Sequence, residues 1–127
     1  MATSERFLAL VPAATCAQAG ISGPAKWSSD YNVACWVRGR ATTPTRLSLV
    51  LRFRDAAGEH QTLVDRAECR QDSAMLLAGK VTLVASGRIE VMDAWLLGEP
   101  SSDVQVDELY VQRAGAQVAE KPIQVAR

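Results

Sequence analysis

Arg46-Leu-Ser-Leu-Val-Leu-Arg-Phe-Arg54 alternates with a period of two. Leu47, Leu49, Leu51 and Phe53 share one side; Arg46, Ser48, Arg52 and Arg54 share the other. Successive side chains of a strand point to opposite faces, so this is the pattern of a half-buried β-strand. Downstream, Asp55-Ala-Ala-Gly58 has the make-up of a hairpin loop leading into a weaker strand over 60–67. Upstream, Tyr31, Val33, Cys35 and Val37 line one face of a second strand over 31–38. Further strands are expected over 80–85, 88–97 and 103–113, with Ser86-Gly87 as a turn. In the last strand Val104 and Val106 share a face, and Leu109 and Val111 take over after Asp107-Glu108. A one-residue slip of phase is what a β-bulge produces. Residues 67–77 have the composition of a short helix. The tail from about 114 reads as an edge strand or a loose end.

Short strands separated by turn signals, with no β–α alternation, predict an all-β fold. One clear apolar face per strand favours a two-sheet antiparallel β-sandwich, as a single domain over residues 1–127. The size and composition agree. The 127 residues are 48% hydrophobic and 22% charged, with 14 basic and 14 acidic side chains that cancel. Zero net charge argues against a nucleic-acid-tracking surface and against an electrostatic membrane anchor. No apolar run approaches the ~18 residues of a membrane span.

The N-terminus admits two readings. Phe7-Leu-Ala-Leu-Val11 after Arg6, with Ala17-Gln-Ala19 beyond, has parts of a secretion signal. Glu5 cancels Arg6 and Pro12 interrupts the run, which favours a cytoplasmic chain. If residues 1–19 are a signal, the protein is secreted or periplasmic. The cysteines are Cys16, Cys35 and Cys69, an odd count that cannot close into a disulfide framework. Buried free thiols are expected; one disulfide plus a spare thiol is the alternative.

Three segments together resemble non-catalytic carbohydrate-binding modules with a galactose-binding-like jelly roll. Tyr31-Asn-Val-Ala-Cys-Trp-Val-Arg38 is similar to that family's Y-x-x-S-x-W-V-K strand. Leu77-Ala-Gly-Lys-Val-Thr-Leu83 resembles its L-x-G-x-F-T segment, and Asp103-Val-Gln-Val-Asp-Glu-Leu-Tyr-Val111 its closing F-x-V-D-D-V-x-L strand. The order holds over roughly residues 27–113. Ala74 stands where the family has a Trp, and the family's opening Asn-Gly-Phe-Glu strand has no counterpart. The resemblance implies a jelly-roll sandwich that binds carbohydrate without catalysis. It also implies a structural Ca²⁺, with Asp107 as the matched carboxylate and Asp103 or Glu108 as helpers.

Sugar sites combine flat aromatic faces with a few polar side chains. Trp36, Arg38 and Asn32 lie on the face opposite Val33 and Val37, with Trp27 in the preceding loop, and form the expected ligand surface. The other reading of Trp36 is a side chain covered by a loop or by the tail. The competing function is a protein-interaction or self-associating domain, such as a homodimer through a sheet face. An enzyme is the third reading. His60 is the only histidine and sits in the hairpin as a polar surface residue. A hydrolytic reading would need Asp93 or Asp107 in a cleft beside a second titratable group. Asp93, between Met92 and Ala94, is expected to meet an arginine or to lie at a sheet edge. Arg46, Arg52 and Arg54 form a stripe that either meets an anionic partner or pairs with carboxylates of neighbouring strands.

Overall fold

The computed structural model describes residues 4–12, 26–40, 42, 44–98, 104–114, 123 and 125. Seven strands run in chain order: β1 (Ser4–Leu10), β2 (Lys26–Gly39), β3 (Thr45–Asp55), β4 (Gly58–Cys69), β5 (Ala74–Ser86), β6 (Val91–Gly98) and β7 (Val104–Arg113). They form a four-stranded sheet in the order β1-β6-β3-β4 and a three-stranded sheet in the order β5-β2-β7. All pairings are antiparallel, and only the β3–β4 connection stays within one sheet. The protein is a β-sandwich with no helix among the described residues.

The alternating side chains close the gap between the sheets. Leu47, Leu49, Leu51 and Phe53 of β3, with Met92, Ala94 and Leu96 of β6, meet Tyr31, Val33, Cys35 and Val37 of β2 in one buried cluster. Burying each such side chain is worth roughly 1.5–3 kcal/mol. The phase change in β7 is a bulge: Trp36 pairs with Glu108 but Val37 pairs with Val106, leaving Asp107 as the extra residue. The bulge returns both Val104 and Leu109 to the core.

The structure adds one strand to the sequence reading and corrects two of its other expectations. Ser4–Leu10 is a strand, paired along β6, with Leu8 fully buried. Residues 67–77 hold no helix; β4 continues to Cys69 and β5 begins at Ala74. Helix-favouring composition loses here to tertiary pairing, since β5 is held along its length by β2. Asp93 is not at an edge, because β6 lies between β1 and β3.

The reversal after β4 depends on Gly39. Asp72 takes a left-handed φ of 59° there, and its N–H donates to Gly39 O at 3.0 Å. A Cβ on Gly39 would lie 2.2 Å from Arg70 O. Gly58, in the β3–β4 turn, has φ +116° but open space around its missing side chain. Gly39→Ala should therefore cost about 2–4 kcal/mol and Gly58→Ala about 1 kcal/mol, measured by urea unfolding.

Cys35 and Cys69 are free and buried, while Cys16 lies outside the described residues. Burial pushes the Cys35 thiol up to about 12, opposed weakly by Arg6. Burial raises Cys69 as well. The thiolate is the reactive form. Native protein treated with iodoacetamide near pH 8 should keep both thiols unmodified by intact-mass and peptide analysis, and denatured protein should lose both.

Candidate functional site

The outer face of the four-stranded sheet carries a connected polar cluster. The β1-β6-β3-β4 order brings Glu5, Trp95, Arg52 and Gln61, one from each strand, onto one face, with only Arg52 and Gln61 directly paired in register. The Arg52 guanidinium lies over the Trp95 ring, 4.5 Å from its centroid. From there Nε donates to Gln61 Oε1 at 2.8 Å on β4, and Nη2 donates to Glu5 Oε1 at 2.8 Å on β1. Phe7 meets the Trp95 ring edge-on, with centroids 5.5 Å apart. Trp95 Nε1 donates to Asp93 Oδ1 at 2.8 Å. Val50 lies beneath, on the outward side of β3 between Trp95 and Leu63, and is buried outside the inter-sheet core.

Beside this cluster is a cavity of about 350 Å³ lined by Arg52, Arg54, Glu59, His60, Asp93 and Trp95, among others. Its volume falls at the lower end of the ~300–1,000 Å³ of small-ligand sites. Donors and acceptors are left over within it. Asp93 Oδ2 and Gln61 Nε2 have no hydrogen-bond partner among the described residues, whereas their other polar atoms are engaged. Arg54 spends Nη2 on Glu59 at 2.9 Å and keeps its other N–H groups. That hydrogen bond, with the charge of Arg54 behind it, holds Glu59 below its ordinary range.

The β3–β4 hairpin beside the cavity is fixed by a buried carboxylate. Asp55, whose side chain is 1% exposed, accepts from Ala57 N at 2.8 Å, Ser86 N at 2.8 Å and His60 Nε2 at 2.9 Å. Two of these bonds close the hairpin turn and the third ties its tip to the end of β5. Burial alone would raise the Asp55 carboxyl, but the bonds from Ser86, His60 and Ala57 outweigh it, and the net shift is downward. His60 stacks on Phe53 at 4.8 Å. It is therefore half-buried and oriented rather than a loose surface residue, because an ionised carboxylate only accepts and Nε2 must carry the proton.

Trp36, Arg38 and Asn32 all lie exposed on the outer face of the other sheet. Trp36 is 41% exposed, and its cross-strand neighbours are Leu76 and Glu108. Tyr110 donates its hydroxyl hydrogen to Glu108 on the same face. Trp27 is the second residue of β2, opposite Ala85, rather than part of a preceding loop; its side chain lies outside the described residues, as does Asp103. Asp107 accepts from Gln105 Nε2 at 2.7 Å. Calcium takes six to eight oxygen ligands. No group of three or more His, Cys, Asp or Glu side chains converges among the described residues. Neither a family model, nor a curated protein, nor a solved structure matches the chain.

The arginine stripe divides. Arg52 and Arg54 pair with Glu5 and Glu59. Arg46 has no ion pair among the described residues. Asp93 is registered opposite Arg52 but bonds to Trp95 instead. Strand order was the missing information: Trp95, Glu5 and Gln61 are far apart in sequence and become neighbours only when β6 is inserted between β1 and β3.

Asp55 carries a testable pH dependence. Its folded-state pKa lies below the unfolded value of ~3.9, so its contribution is complete above that value and fades as pH falls through it. Asp55→Ala should cost about 3 kcal/mol at pH 7, because two backbone donors lose their acceptor. The urea midpoint should fall more steeply between about pH 5 and pH 3 in the parent than in Asp55→Asn.

Proposed function

We propose that this protein is a non-catalytic binding module for a carbohydrate, and that the ligand sits in the Trp95 cavity on the four-stranded sheet. The observation that carries the reading is the unspent hydrogen-bonding capacity around that cavity. Sugars present hydroxyl groups that both donate and accept. Asp93 Oδ2 and Glu59 offer acceptors; Gln61 Nε2 and Arg54 offer donors. The Trp95 indole supplies an apolar wall. Arg52 and Asp93 hold that indole in place, which reduces the ordering cost of binding. The resemblance of residues 27–113 to jelly-roll sugar modules points to the same ligand class.

Asp93 does line a cavity with titratable neighbours, which is the arrangement a hydrolase needs. Glycoside hydrolysis also needs a carboxylic acid held protonated near neutrality. Glu59 is held the opposite way by Arg54. His60 is bonded through Nε2 to Asp55. Binding without bond cleavage is the simpler use of these groups.

A second reading has its own observation. Trp36 and its cross-strand neighbour Leu76 are 41% and 42% exposed on the three-stranded sheet, an apolar pair suited to protein contact. The two readings separate on one glycan array run with light scattering. Sugar binding at the cavity predicts that Asp93→Ala and Trp95→Ala lose retention about tenfold or more while circular dichroism shows folded protein. Trp36→Ala should then bind as the parent does. Glycan retention insensitive to Asp93 and Trp95 would overturn the assignment, and a dimer broken by Trp36→Ala without any glycan retention would favour protein contact.

A further inference from the structure

The same outer face holds a second cavity, of about 430 Å³, at the opposite end of β3. Arg46 and Ser48 of β3, Arg66 and Glu68 of β4, and Leu97 of β6 line it, with Ala67. Its electrostatics differ from those of the Trp95 cavity. Arg54 and Glu59 are cross-strand partners and form an ion pair at 2.9 Å. Arg46 and Glu68 are cross-strand partners in the same way and form none. Arg66, opposite Ser48, has no side-chain partner among the described residues either.

Among the described residues, two guanidinium groups without a side-chain partner therefore border one depression against one carboxylate, Glu68. Arg46 and Arg66 are diagonal neighbours in the β3–β4 register, about 7–8 Å apart at the backbone, within reach of one small anion for such long side chains. Guanidinium binds carboxylate and sulfate oxygens through a planar fork of donors. Leu97 adds an apolar surface for the body of a ring. Residues 48 and 52 are roughly 13 Å apart along β3, with the exposed Leu63 beside Val50 between the two cavities. An oligomer lying along β3 would cross that apolar saddle and reach both.

We propose that this cavity is a second subsite that takes an acidic unit of the ligand, a sugar bearing a carboxylate or sulfate group. The protein then recognises an anionic oligosaccharide, with its uncharged part at Trp95 and its acid between Arg46 and Arg66. The inference rests on the saccharide reading of the Trp95 cavity.

Isothermal titration of the full chain against three probes of equal length tests it: a neutral gluco-oligosaccharide, an oligogalacturonate and a heparin-derived sulfated oligosaccharide. At least one acidic probe should bind about tenfold more tightly than the neutral one. That advantage should shrink as NaCl rises from about 50 to about 500 mM. Arg46→Ala and Arg66→Ala should each remove most of the advantage and leave neutral binding unchanged. Both side chains are exposed, so the variants should stay folded, which circular dichroism checks. Preference for the uronate or the sulfate names the source of the acid. Equal affinity for neutral and acidic probes, or an acidic preference untouched in both variants, overturns the second subsite and leaves the Trp95 reading standing. Acidic binding lost in Arg46→Ala but kept in Trp95→Ala supports the subsite and overturns the Trp95 site. No binding of any probe overturns both.

Discussion

Water is excluded between two sheets by side chains that recur at every second position, and the rest of the molecule follows from that seal. Leu49 and Leu51 on one layer, and Cys35 and Val37 on the other, are wholly inaccessible. A strand that commits its odd positions inward must send its even positions outward. Arg46, Ser48, Val50, Arg52 and Arg54 are outward for that reason, before any ligand is considered. The stability comes mainly from the inner row, because exposed ion pairs contribute only ~0–1 kcal/mol each. The outer rows are thereby left available for recognition.

The two outer faces use that availability differently. On the four-stranded sheet a single arginine reaches a neighbour on each of the other strands. Arg52 lies over Trp95 of β6, donates to Glu5 of β1 and donates to Gln61 Oε1 on β4. Such a side chain has little freedom left, so the groups around it are set before a ligand arrives. At the opposite end of β3, Arg46 and the neighbouring Arg66 of β4 have no ion pair among the described residues. On the three-stranded sheet Trp36 lies between Leu76 of β5 and Glu108 of β7.

Much of the fold was legible because it rests on local alternation. Residues 46–54 and 31–38 declare their inner and outer sides unaided, and the slip at Asp107-Glu108 announces the bulge that the register contains. The helical look of residues 67–77 misled because Ala, Glu, Arg, Gln, Met and Leu carry only weak preferences, and pairing of β5 along β2 overrides them. Ser4–Leu10 was obscured because its bulge between Phe7 and Ala9 breaks the alternation that marks a strand. Asp55 looked like an ordinary turn residue. Its bond to Ala57 is the local one such a turn suggests, but its bond to Ser86 spans 31 residues and has no local signature. The Trp95 cluster was hidden for the same reason: each member is unremarkable on its own strand, and only the order β1-β6-β3-β4 assembles them.

The central claim is that the outer face of the four-stranded sheet is a ligand site organised by Arg52 upon Trp95. Amide and side-chain NMR of uniformly ¹⁵N-labelled protein, titrated with neutral and acidic oligosaccharides, addresses it most directly. The account predicts that the Trp95 indole N–H, the Arg52 Nε–H and the Gln61 side-chain amide move together with ligand, while the Trp36 indole stays in place. Movement centred on Trp36, with the Trp95 and Arg52 signals unchanged, would contradict it.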